Sequence, residues 1–206
     1  MPMQPAAIDM THLKAGFHAP VLDAQSSFRA TLNALSFPGC VFDIPAPPEA
    51  PEGWPPALAA AALTLFDADT PVYLDAAARN ASAEAFIRFH AGAPNVNAPG
   101  DAQFAILLDP EHADFDAFRI GEDEYPDRSA TLLCAVADFT SGGPMRLTGP
   151  GVKTVQDTAP AGVGAAFWSA WMRNQALYPL GYDVLFAARS AVVGLPRTVA
   201  AEYVKE

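Results

Sequence analysis

Prolines cut the first third of this chain into short segments in which helical and strand periods alternate, and that restricts the fold to layers of helix packed on sheet. There are 20 prolines in 206 residues. Behind Pro20, Val21, Gln25, Phe28, Leu32 and Leu35 recur at helical spacing, and a proline suits a first turn because its missing N–H would have no partner there. The spacing predicts an amphipathic helix over residues 20–36. Pro38 drives Phe37 out of the α region and ends it, and Cys40-Val41-Phe42-Asp43-Ile44 then reads as a strand. A proline-rich loop covers residues 45–56. The Ala- and Leu-rich residues 57–66 predict a second helix, Val72-Tyr73-Leu74 a buried strand, residues 82–90 a third helix with Ser82 as its N-cap, and residues 103–108 another strand.

The second half changes character. Residues 130–137, 145–148 and 152–155 are candidate strands joined by Ser141-Gly142-Gly143-Pro144 and Gly149-Pro150-Gly151, which favours antiparallel hairpins. A helix over residues 163–174 carries Phe167, Trp168, Trp171 and Met172, and strands at 184–187 and 191–195 flank Arg189-Ser190. The expectation is an α/β protein, a mixed central sheet flanked by helices. The length suits one large domain.

A net charge of −11 repels polyanions, and no run of Lys or Arg offsets it, so DNA and RNA binding are excluded as functions. One phosphate or phosphonate remains compatible, since a few local arginines can hold it. The N-terminus lacks a basic region followed by an apolar stretch, and no window reaches about 20 uninterrupted apolar residues. Cys40 and Cys134, the two cysteines, do not form a secreted disulfide framework. These features predict a cytoplasmic protein without a membrane segment.

Several constellations bear on chemistry. In Asp67-Ala68-Asp69-Thr70 two carboxylates stand two residues apart. They suit a helix-to-strand turn, with a divalent cation as the alternative. His12, His18, His90 and His112 show no metal-ligand spacing, and no metal is expected. His90 ends a helix, where it serves as a C-terminal cation or, alternatively, as a general acid or base. Gly149-Pro150-Gly151-Val152-Lys153-Thr154 lacks the lysine position of a phosphate-binding loop, and Gly-x-Ser-x-Gly is absent. Arginine binds phosphate or phosphonate through two parallel hydrogen bonds, which makes Arg29, Arg128 and Arg197 the candidate anion ligands, with surface or subunit-contact ion pairs as the alternative role.

Short signatures run through the chain in a fixed order: Phe17-His18-Ala19-Pro20-Val21-Leu22-Asp23-Ala24-Gln25-Ser26-Ser27-Phe28-Arg29, Phe37-Pro38-Gly39, Leu65-Phe66-Asp67-Ala68-Asp69-Thr70-Pro71-Val72, Arg88-Phe89-His90, Pro179-Leu180-Gly181-Tyr182-Asp183 and Leu195-Pro196-Arg197-Thr198. Together they resemble the H-subunit family of the bacterial carbon–phosphorus lyase system. The resemblance implies a fold like the large domain of pyridoxal-phosphate transferases without that cofactor. Lys14, Lys153 and Lys205 are the lysines available for a Schiff base, and none is well placed. It implies a domain over residues 17–206 behind an N-terminal extension over 1–16, with Asp67, Asp69, Gly181 and Asp183 as structural motif residues. It also implies a homodimer that joins the G, I and J subunits and, with the associated L protein, supports formation of ribose 1-phosphonate 5-triphosphate from ATP and an alkylphosphonate. Two cysteines are too few to ligate a four-cysteine iron–sulfur cluster, so the implied role is accessory, with no catalytic residue assigned. Substrate contacts then fall to Arg29, His90, Arg128 or Arg197. The competing reading is a stand-alone enzyme acting on a nucleotide or phosphonate through the same arginines.

Overall fold

The computed structural model describes residues 10–204; residues 1–9 of the expected extension, and Lys205, lie outside the described residues. In chain order the elements are α1 (Pro20–Ser36), β1 (Val41–Asp43), α2 (Pro56–Leu65), β2 (Val72–Leu74), α3 (Ala81–His90), β3 (Asn95–Val96), β4 (Phe104–Leu107), β5 (Ile120–Glu122), β6 (Tyr125–Ser129), β7 (Thr131–Ala135), β8 (Met145–Thr148), β9 (Gln156–Thr158), α4 (Ala165–Ala176), β10 (Asp183–Ala188), β11 (Ala191–Leu195) and β12 (Ala200–Tyr203).

Seven strands form the central sheet in the order β1-β11-β10-β7-β4-β2-β3. From β10 to β3 every pairing is parallel, and β11 runs antiparallel to both of its neighbours. Its inner strands β4, β7, β10 and β11 are apolar at successive positions because both faces are covered. In β10, Leu185 and Ala187 enter one core layer with α1, α2 and α3, while Val184 and Phe186 enter the other with α4. A smaller sheet, β12-β8-β9, closes the α4 side, contributing Met145, Leu147 and Ala201 to that layer.

Small residues bring the helices close to the sheet. The alanines of α2 are almost fully buried. A Cβ at Gly194 would lie 2.4 Å from the Ala34 carbonyl oxygen, so the α1 backbone rests directly on β11.

The helix–strand alternation and the mixed, helix-flanked sheet stand as expected, with several local corrections. Asn80, not Ser82, caps α3: its Oδ1 accepts the Ala83 N–H at 2.9 Å, while Ser82 is buried inside the first turn. β7 does not form a hairpin with β8. It pairs in parallel with β4 and β10, and the following loop carries the chain across to the smaller sheet. Residues 152–155 form a turn, and the strand after it is β9. The short strands β3, β5, β6 and β12 carry no apolar alternation long enough to announce them; the acidic Glu122-Asp123-Glu124 segment is the tip of the β5–β6 hairpin.

Candidate functional site

Ligands of parallel α/β sheets gather beyond the carboxyl ends of the strands. There, past β2 and β4, lies a cleft of about 610 Å³ lined by Tyr73, Asp75, Asp109, His112, Asp114 and Phe118, among others. Asp75 directly follows β2. Its Oδ1 accepts the Ala78 N–H at 2.6 Å and its Oδ2 accepts the Asp109 N–H at 2.9 Å, so one carboxylate fixes both loop starts. Asp109 in turn holds His112 Nδ1 at 2.9 Å. That hydrogen bond, reinforced by the carboxylate's charge, raises the His112 pKa above its ordinary 6.5. Tyr73 and Phe118 meet edge to face, with ring centroids 6.0 Å apart, and supply the apolar wall.

This arrangement accepts hydrogen-bond donors and cationic groups. Its lining carries three carboxylates against one imidazole and includes no lysine or arginine, so it opposes the entry of a triphosphate or phosphonate and offers no Schiff-base residue. Cys134, buried in β7, is no nucleophile either, since burial pushes its thiol pKa far upward.

The four cationic candidates do not converge. Arg29 lies on the exposed face of α1 beside a separate cleft of about 320 Å³ that includes Asn33, Phe42 and Asp43. His90 ends α3 with its Nε2 2.9 Å from the Lys14 carbonyl oxygen and its ring against Phe86 and Phe89, which fastens the segment before α1 to the body of the protein. Arg128, on β6, places its guanidinium 3.9 Å from the centre of the Tyr125 ring. Arg197 is fully engaged inside the protein. Its Nε lies 3.1 Å from Asp183 Oδ1, its Nη1 donates to the Pro126 carbonyl at 2.9 Å, and its Nη2 bonds Asp183 and Ser129. This clamp ties β10, β6 and the turn after β11 together. Arg128 lies on β6 and Arg197 reaches it from the turn after β11, but each guanidinium is committed to a different partner.

The remaining motif residues shape the backbone. Asp67 Oδ1 accepts from Thr70 Oγ1 at 2.6 Å and from the Asp69 N–H at 3.0 Å, and these bonds lower its pKa. Asp69 contributes only that backbone N–H; among the described residues its carboxylate has no partner. Gly181 has φ +118, and a Cβ there would meet Asn174 Oδ1 at 2.7 Å. Lys153 sits exposed in the turn before β9. Among the described residues no group of three or more His, Cys, Asp or Glu is arranged to hold a metal ion, and no helix is long and apolar enough to cross a membrane.

The carboxyl-edge cleft lies outside the candidate set drawn from sequence. One signal was present: Val72-Tyr73-Leu74-Asp75 and Ile106-Leu107-Leu108-Asp109 both run from a buried strand straight into an aspartate, a residue that bonds loop N–H groups at strand ends.

Comparison with known proteins adds three findings. Residues 15–202 match the family described as bacterial phosphonate metabolism protein (PhnH). A protein of Rhizobium meliloti (strain 1021) named alpha-D-ribose 1-methylphosphonate 5-triphosphate synthase subunit PhnH is 40% identical over 189 residues, 90% of this chain and 94% of that protein. HtxG of Stutzerimonas stutzeri, named for a C-P lyase subunit, is 29% identical over 174 residues, 84% of this chain and 83% of its own.

Proposed function

The chain belongs to the bacterial phosphonate metabolism protein (PhnH) family, and on that premise we propose that it is an accessory subunit of a carbon–phosphorus lyase assembly. Its task is to support formation of ribose 1-phosphonate 5-triphosphate from ATP and an alkylphosphonate. The observation that carries this reading is the 40% identity, over nearly the full length of both chains, with a protein named as a subunit of the corresponding synthase. Two structural features agree with it. The candidate cations are spread over separate features, with Arg197 spent on an internal clamp, and the carboxyl-edge cleft is acidic, so triphosphate and phosphonate groups are better held by other subunits.

The proposal extends to a cytoplasmic homodimer that joins the G, I and J subunits. It also includes a domain over residues 17–206 behind an extension over 1–16, and a fold like the large domain of pyridoxal-phosphate transferases that works without the cofactor. A mixed sheet with one reversed strand, covered on both faces, supports the last point.

Co-expression with the G, I and J subunits tests the assembly. The chain is expected to co-purify with them, and, once the associated L protein is added, ribose 1-phosphonate 5-triphosphate formation from ATP and methylphosphonate is expected only when the chain is present. Turnover by the purified chain alone would make it a stand-alone enzyme instead.

A further inference from the structure

We propose that the outer face of α1, with the neighbouring edge of the central sheet at β1, is the surface on which a second copy of this chain docks about a two-fold axis. The inference rests on the self-association proposed above and adds its location.

The inner face of α1 buries Ser27, Ala30, Thr31 and Ala34. Its outer face leaves Val21 82%, Leu22 65%, Phe28 53% and Leu32 52% exposed, and beyond the helix end Phe37 and Val41 are also exposed, at 52% and 53%. Single exposed apolar side chains are ordinary, but a row of large ones along one helix is the signature of an interface. Next to it, β1 pairs with β11 alone, which leaves the other edge of that strand without a ladder partner.

The sequence of this face suits a copy of itself. Val21, Gln25, Phe28 and Leu32 are separated by four, three and four residues, an order that reads the same in both directions. An antiparallel copy turned about an axis between Ser26 and Ser27 sets Val21 opposite the partner subunit's Leu32 and Gln25 opposite the partner subunit's Phe28, along about 16 Å of helix. Charge completes the match. Arg79, Arg146, Arg173 and Arg197 each have a carboxylate partner within the chain. Arg29 and Asp43 line one cleft beside this face, yet among the described residues neither side chain has an ion-pair partner. A two-fold axis returns every contact, so Arg29 facing the partner subunit's Asp43 forms two symmetric pairs at once. Such local complementarity offsets the mutual repulsion of two chains that each carry a net charge of −11.

Size-exclusion chromatography with light scattering tests the surface on the full chain, with circular dichroism melting as the folding control. The wild type is expected to be a dimer, and Phe28→Glu and Leu32→Glu are expected to be folded monomers. Arg29→Asp should weaken dimerisation by about tenfold, and adding Asp43→Arg should restore it. Because both charged residues are exposed, the swap remains decisive if a glutamate variant fails to fold. A dimer that persists in all of these variants overturns the location while leaving self-association intact. A wild type that is monomeric at every concentration overturns both. A monomer whose binding to the G, I or J subunit is lost in Phe28→Glu assigns the face to that subunit and overturns the proposal.

Discussion

The side-chain amide of Asn174 closes on the backbone of Tyr182 from both sides: Nδ2 donates to the Tyr182 carbonyl and Oδ1 accepts the Tyr182 N–H, each at 2.9 Å. Asn174 lies 2% exposed in α4, and it replaces a strand partner for the residue just before β10. Gly181, next to it, lacks the Cβ that would push this amide away. Asn174→Ala therefore leaves a buried donor and a buried acceptor unpaired. Urea denaturation is expected to show a loss of about 2–4 kcal/mol. Gly181→Ala is expected to destabilise as well, because it combines a left-handed φ with that close approach.

The Arg197–Asp183 clamp separates a structural from a substrate-binding role. Its side chains are 13% and 22% exposed, and removing one partner strands the other. Arg197→Ala and Asp183→Ala are each expected to cost about 3 kcal/mol. Arg197→Lys should recover little of it, because an ammonium cannot reach Asp183, Pro126 and Ser129 together. An Arg197→Ala protein of wild-type stability that has lost only activity would return Arg197 to the list of substrate ligands.

Two titrations have opposite signs. His112 is raised above 6.5 by Asp109, so the stabilisation from this pair is fully present below 6.5 and is lost as pH rises through the raised value. NMR of the His112 ring is expected to show a midpoint above 6.5 that falls toward it in Asp109→Asn. Asp138 is held at about 2, below its ordinary 3.8, by the Ser141 hydroxyl and then by the Thr140 and Ser141 N–H groups. Its contribution is present above 3.8 and disappears as pH falls through about 2. Ser141→Ala is expected to raise the Asp138 midpoint.

The paired aspartates of the α2–β2 turn should behave differently from each other. Asp67→Ala removes the acceptor of two bonds and is expected to lower the melting temperature. Asp69→Ala keeps the backbone N–H that matters and is expected to melt as the wild type does. The residue pattern alone makes the two carboxylates equivalent; only the fold of the turn shows that one of them faces it.

The same distinction governs what could be read in advance. The ends of α1 were legible because Pro20 and Pro38 act through local sterics, and β2, β8 and β11 because three to five residues carry their whole burial pattern or a turn signal. The parallel placement of β7 was not, since a strand's partner depends on segments distant in sequence. The carboxyl-edge cleft was hidden for the same reason: Asp75 and Asp109 are 34 residues apart and meet only because β2 and β4 pair in parallel. The clamp on Arg197 joins residues up to 71 positions apart, so its arginine looked available for a ligand.

The placement of the tryptophans gives the protein an optical readout of its two layers. Trp54 is buried with the α1–α3 layer, and Trp168 and Trp171 with the α4 layer; these are all three tryptophans in the chain. Native emission is therefore that of indoles shielded from water. Trp54→Phe leaves a signal from the α4 side alone, and Trp168→Phe with Trp171→Phe leaves one from the opposite side. Stopped-flow unfolding of the two proteins then resolves whether the layers come apart in one step, while the bare surface of α1, with no indole on it, contributes no background.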